Sequence, residues 1–199
     1  MITWESEALA VLELLKMLVL EPRTGVLMAL LVTAAWIDVK TNRIPNRLVV
    51  AGIVFAILYN GFYPAYLREN GWLVGLVGMG TGFIVFLPFY LLRAMGAGDV
   101  KLMAMVGAFL GPWPAFLAIL STGVAGGVIA LGFLLWTGNL RRGFNNVISM
   151  MRQNLLTAPI GYVDLNVSPT VSAGKLPYGV AIAAGTIVFL VSRQLGFIH

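Results

Sequence analysis

The 199-residue chain contains no cysteine, and its single histidine is the last residue, His199. Without cysteine there is no disulfide, no thiolate nucleophile and no cysteine-based zinc site. With one terminal histidine, neither an H-E-x-x-H zinc site nor a serine–histidine dyad can be assembled. A G-x-S-x-G elbow and a Walker glycine loop are also missing. Charge is scarce: 11% of the residues are charged, against about 25% in an ordinary soluble domain. The start, "MITWESEALAVLELL", carries acids where a secretory signal would be basic, so the N-terminus is expected to be retained.

What the chain has in quantity is apolar sequence, 59% of the total, which marks an all-α integral membrane protein. Its net charge of +5 would suggest nucleic acid in a soluble protein. In a membrane protein the positive-inside bias explains it, and no nucleic-acid partner is expected. Leu48–Tyr66 and Trp72–Leu92 each suffice to cross a bilayer. Residues 102–136 form an apolar stretch too long for one crossing, and "GPWP" at 111–114 breaks it into a short span of about 100–111 and a full one of about 115–136. Another span runs from about Tyr178 to Leu195, and a short first one from about Thr24 to Ile37. Residues 1–23 read as an interfacial helix with Pro22 separating it from the first span.

Six spans result, with both termini outside and residues 24–199 as one domain. This topology places nine basic residues inside, among them Lys40, Arg43, Arg47 and Lys101, and four outside. The long inner loop, 137–177, carries an amphipathic pattern (Phe144, Val147, Ile148, Met151, Leu155) expected to lie as a helix on the cytoplasmic membrane surface.

Three aspartates remain once the acids of the N-terminal segment and the outer loop are set aside. Asp38 ends the first span, Asp99 begins the fourth, and Asp164 lies in the long loop. Asp38 and Asp99 come out at one membrane face. Two carboxylates held close together do not both ionise easily; the charged one can take a proton from water while the protonated one hydrogen-bonds a carbonyl under attack. From position alone, other readings stay open: Asp99 as a helix N-cap, Asp38 as a solvated interfacial charge, or both as carriers in a proton-coupled transporter.

The motif "GAGD" (96–99) followed by "VKLMAMVGAFLG", together with "DVKTNRIPN" (38–46), resembles the two-part signature of type IV prepilin peptidases, a branch of the GxGD intramembrane aspartic proteases. The compact size and "GKLPYGVAIAAG" (174–185) are most similar to the short peptidases of tight-adherence, Flp-type pilus systems. The resemblance implies that Asp38 and Asp99 are a catalytic pair. Its substrate would be a prepilin whose basic leader is cut, at the cytoplasmic face of the inner membrane, just before a hydrophobic helix. Physical roles for the neighbouring motif residues follow. Gly96 and Gly98 let the backbone turn tightly and approach the substrate, Lys40 and Lys101 sit at the interface, and Lys101 sets the depth of the fourth helix. Pro45 and Asn46 form a turn and cap for the second span, and Leu176–Gly179 frame the cleft. No metal or other cofactor is expected; prepilin and membrane lipids are the expected partners. The longer members that also N-methylate carry a cytoplasmic insertion with paired cysteines. This chain has neither, so cleavage without methylation is expected. A small proton-coupled transporter and a non-catalytic subunit of a secretion machine are the rival readings.

Overall fold

The computed structural model describes residues 21–62, 70–92, 94–136 and 178–196. The interfacial N-terminal helix, the amphipathic helix within 137–177 and Asp164 lie outside the described residues, as does the stretch from Tyr63 to Tyr66. Among the described residues there are six α-helices and no strand: α1 Pro22–Thr41, α2 Asn46–Phe62, α3 Gly71–Leu91, α4 Ala97–Leu110, α5 Pro112–Trp136 and α6 Tyr178–Gln194. Pro22–Thr41, Gly71–Leu91 and Pro112–Gly132 are long and apolar enough to cross a membrane, and α2 and α6 are shorter apolar helices. The chain is an all-α integral membrane protein.

Pro22 is the first residue of α1. A proline ring fixes the helical φ, and its missing N–H costs nothing at a position that has no intrahelical acceptor. The helix also continues past Ile37 through Asp38 to Thr41, and closes at Asn42. That residue adopts φ 49° and donates its N–H to the Asp38 carbonyl at 2.7 Å. The break in the long apolar stretch falls at Gly111, with φ 84°, and Pro112 starts the next helix. A positive φ is the conformation for which glycine carries no Cβ penalty.

The short α4 is the centre of the bundle. Every residue from Leu102 to Leu110 is buried, because the other helices pack around it. Its direction relative to them follows from named contacts. Asn60 near the end of α2 donates to the Ala108 carbonyl at 2.9 Å, while Asn46 at the start of α2 accepts from Lys101 at 3.2 Å, so α2 and α4 run parallel. On α3, a methyl at Gly78 would collide with the Gly107 carbonyl oxygen and one at Gly82 with the Met103 carbonyl oxygen, so α3 runs antiparallel and its backbone lies directly on that of α4. Small residues permit such approach between membrane helices, where packing replaces the hydrophobic drive as the source of association.

Arg23 in the first turn of α1 hydrogen-bonds the Phe109 carbonyl through its guanidinium, satisfying a carbonyl left over at the α4 C-terminus. Since Asp38 at the other end of α1 meets the α4 N-terminus in the cleft described below, these two helices are antiparallel as well. Helices α5 and α6 pack through Gly185, whose Cβ would meet the Thr122 backbone, and through Gly126 against Ala181. Gly123 and Gly127 have nothing within 4 Å of where a Cβ would stand. The ends of α1 and α3 and the starts of α2, α4 and α6 thus gather at one end of the bundle.

Candidate active site

Asp38 stands in the last turn of α1, where the helix macrodipole disfavours a carboxylate. What offsets this comes from α6: the backbone N–H of Gly179, second residue of that helix, donates to Asp38 Oδ2 at 2.9 Å. The first N–H groups of a helix have no intrahelical acceptor and carry its positive end, so α6 supplies a free donor where α1 needs one. The fit is tight. A Cβ on Gly179 would stand 2.8 Å from Asp38 Oδ2 and 3.1 Å from its Cβ and Cγ.

Asp99 is held differently. Gly96 is the N-cap of α4 and Asp99 the third residue of the helix, so Asp99 is not the cap itself. Its Oδ2 accepts the Gly96 N–H at 2.9 Å, and its own N–H donates to the Gly96 carbonyl at 3.1 Å. This is the acidic half of a capping box; glycine has no side chain to supply the other half. The first turn of a helix also favours a negative charge.

Both aspartates are buried, with 6% and 7% of their surface exposed, and both line one cleft of about 340 Å³. Each carboxylate accepts one backbone N–H at Oδ2.

Of the other residues singled out in the sequence, Gly96, Gly98, Asn46 and Lys101 line the cleft. Neither glycine is used for a positive φ: Gly96 is extended at φ −81° and ψ 158°, and Gly98 lies inside α4. What Gly98 provides is room, since a Cβ there would stand 3.3 Å from the Ile44 Cβ. Asn46 is the first residue of α2 rather than its cap, and its side chain accepts from Lys101 Nζ. Pro45 supplies the carbonyl that receives the N–H groups of Leu48 and Val49 at the start of α2. Lys40 lies over the Trp36 ring, 4.4 Å from its centroid, and is not among the cleft residues.

Ala97, inside the GAGD motif, also lines the cleft, as do three residues of the second motif to which the sequence reading gave no cleft role: Asn42, Arg43 and Ile44, the linker between α1 and α2. The signal for them was the left-handed Asn42, a residue type that tolerates that conformation and often ends helices. Gly179 was within the segment expected to frame the cleft, and does touch Asp38; Leu176 and Pro177 lie outside the described residues.

Residues 25–131 match the type IV leader peptidase family. Curated relatives include the prepilin leader peptidase/N-methyltransferase of Myxococcus xanthus (strain DK1622), 34% identical over 121 residues, which cover 57% of this chain and 35% of that protein. Proteins of the same name from Dichelobacter nodosus and Aeromonas salmonicida (strain A449) are 27% and 28% identical, covering 54% and 63% of this chain and 39% and 46% of their own length. The chain thus spans between about a third and a half of the length of these relatives. No solved structure gives a significant match.

Proposed function

The chain belongs to the type IV leader peptidase family, and we propose that it is a membrane-embedded aspartic endopeptidase with Asp38 and Asp99 as its catalytic pair. It removes the basic leader of a type IV, Flp-like prepilin at the cytoplasmic face of the inner membrane and does not methylate the new terminus. The observation that carries this reading is the shared cleft: two buried carboxylates about 60 positions apart in sequence, each fixed by one backbone N–H.

In the resting pair one carboxyl is protonated and the other charged. The charged member takes a proton from a water as the water oxygen attacks the scissile carbonyl carbon, and the protonated member hydrogen-bonds the carbonyl oxygen on which negative charge develops. Collapse of the tetrahedral intermediate breaks the C–N bond, and the proton taken from water passes to the leaving amine. Holding each carboxylate by a backbone donor fixes both groups before substrate arrives, so that little reorganisation is needed during the reaction. The chain's lack of any cysteine supports cleavage without the cysteine-bearing methyltransferase insertion. That both acids gather at one end of the bundle, instead of along a path through it, speaks for hydrolysis over proton transport.

The test is direct. Purified protein in detergent, incubated with a Flp-type prepilin, should convert it to a shorter pilin whose new N-terminus begins at the hydrophobic helix. An intact prepilin after prolonged incubation would reduce the chain to a non-catalytic member of its family.

A further inference from the structure

A second depression opens on the side of the bundle. It is a groove of about 510 Å³ between α2 and α3 with α4 as its floor, its walls including Val50 on α2 and Gly80, Phe83 and Ile84 on α3. Its lining is almost wholly apolar, and the exposure of Val50 (57%) and Ile84 (66%) shows that it faces outward, toward lipid. Asn46 and Lys101 belong both to this groove and to the aspartate cleft. The two spaces therefore meet at the Lys101–Asn46 hydrogen bond.

We propose that this groove seats the apolar helix of the prepilin, the segment that immediately follows the scissile bond. The proposal rests on the peptidase reading above. A substrate cut just before its hydrophobic helix must bring the first turns of that helix within a few residues of Asp38 and Asp99. The groove is an apolar surface that starts at the cleft, and from Asn46 to Ile53 it runs about 10 Å along α2, room for about two helical turns.

The glycines of α3 support a helix as the occupant. Gly78 and Gly82 are required by the fold itself, since a methyl at either collides with α4 carbonyls. Gly80 is not: a Cβ there would have nothing within 4 Å. The fold needs no glycine at this position, but a second helix lying against α3 would gain close backbone approach from one.

The experiment compares two substrates of the same enzyme in lipid vesicles: a prepilin with leader and helix, and a synthetic peptide with leader and scissile bond that ends before the helix. The ratio of their kcat/KM values reads the contribution of the helix. Gly80→Phe and Val50→Trp fill the groove and should each lower that ratio at least tenfold. Val124→Phe, at an exposed position of α5 (70% exposed) outside the groove, should keep it. Misfolding slows both substrates together and leaves the ratio alone. As an independent reading, a photo-crosslinker at Ile84 in the Asp99→Asn chain should capture the prepilin. An unchanged ratio in both groove variants, or a crosslinker that captures only lipid or a second copy of the chain, overturns the proposal while leaving the peptidase reading intact. A wild-type chain that cleaves neither substrate overturns the peptidase reading, and this proposal with it.

Discussion

The Gly179 backbone N–H donates to Asp38 Oδ2 at 2.9 Å across 141 positions of sequence. This bond joins the last helix to the first beside a carboxylate of the cleft, and the absence of a side chain on Gly179 allows it. Gly179→Ala would put a methyl carbon 2.8 Å from the carboxylate oxygen, a separation that forces Asp38 or α6 to move. A catalytic group displaced by about 1 Å can lose roughly a hundredfold in rate. Cleavage by Gly179→Ala should therefore fall by that order while the protein still inserts and purifies, which kcat/KM measured beside a thermal melt would check. A melt that falls as steeply as the rate would reduce Gly179 to a packing residue.

Gly98 makes a graded case. With the Ile44 Cβ 3.3 Å from a Cβ at this position, Gly98→Ala needs a shift of only a few tenths of an ångström and should keep most activity. Gly98→Val adds two further methyl groups against Ile44, a half-buried wall of the cleft, and should lower prepilin cleavage more than tenfold with little change in unfolding temperature. Parallel loss of activity and stability in the valine variant would assign Gly98 to structure alone.

The α3–α4 contact predicts the opposite balance. Gly78→Ala and Gly107→Ala each drive a methyl into the facing backbone, Gly78 against the Gly107 carbonyl and Gly107 against that of Gly78. Overpacking of this kind costs about 1–3 kcal/mol. Both variants should unfold at lower temperature in detergent, and Gly80→Ala, with open space around it, should not.

Much of this fold was legible because apolar length is a strong signal, and "GPWP" named the break that Gly111 and Pro112 make. What composition could not reveal is which spans face lipid. Residues 102–110 and the spans of α3 and α5 are all strongly apolar, yet the first are buried throughout while the others leave large apolar side chains exposed, since lipid and protein interior select the same side chains. The far end of α1 was misjudged for a local reason: the charges at Asp38 and Lys40 suggested a boundary one turn too early. At the site, Asp38, Asp99, Gly96, Gly98, Asn46 and Lys101 could be read from two motifs. Their geometry could not, because Gly98 works through Ile44 and Asp38 through Gly179, contacts between segments that no local pattern joins.

A shared proton has a signature in pH. The proposed mechanism needs one carboxyl charged and one protonated, so kcat/KM should be bell-shaped. It falls on the acid side as the charged member takes up a proton and can no longer accept one from water. It falls on the alkaline side as the remaining proton is lost and the carbonyl loses its donor. Because the two groups interact, the two apparent pKa values belong to the pair and not to either residue. A profile with a single limb would point to one functional carboxyl.

The central claim is the pairing of Asp38 with Asp99, and single asparagine substitutions at Asp38, Asp99 and Asp164, assayed side by side on one prepilin at matched protein levels, test it most directly. Asparagine keeps the size of the side chain and can still accept the Gly179 or Gly96 N–H, but it can neither take nor share a proton. Asp38→Asn and Asp99→Asn should each abolish cleavage without loss of membrane insertion, and Asp164→Asn, between α5 and α6 in sequence, should cleave at close to the wild-type rate. Full activity in either of the first two, or an essential Asp164 beside a dispensable Asp38, would contradict the pairing.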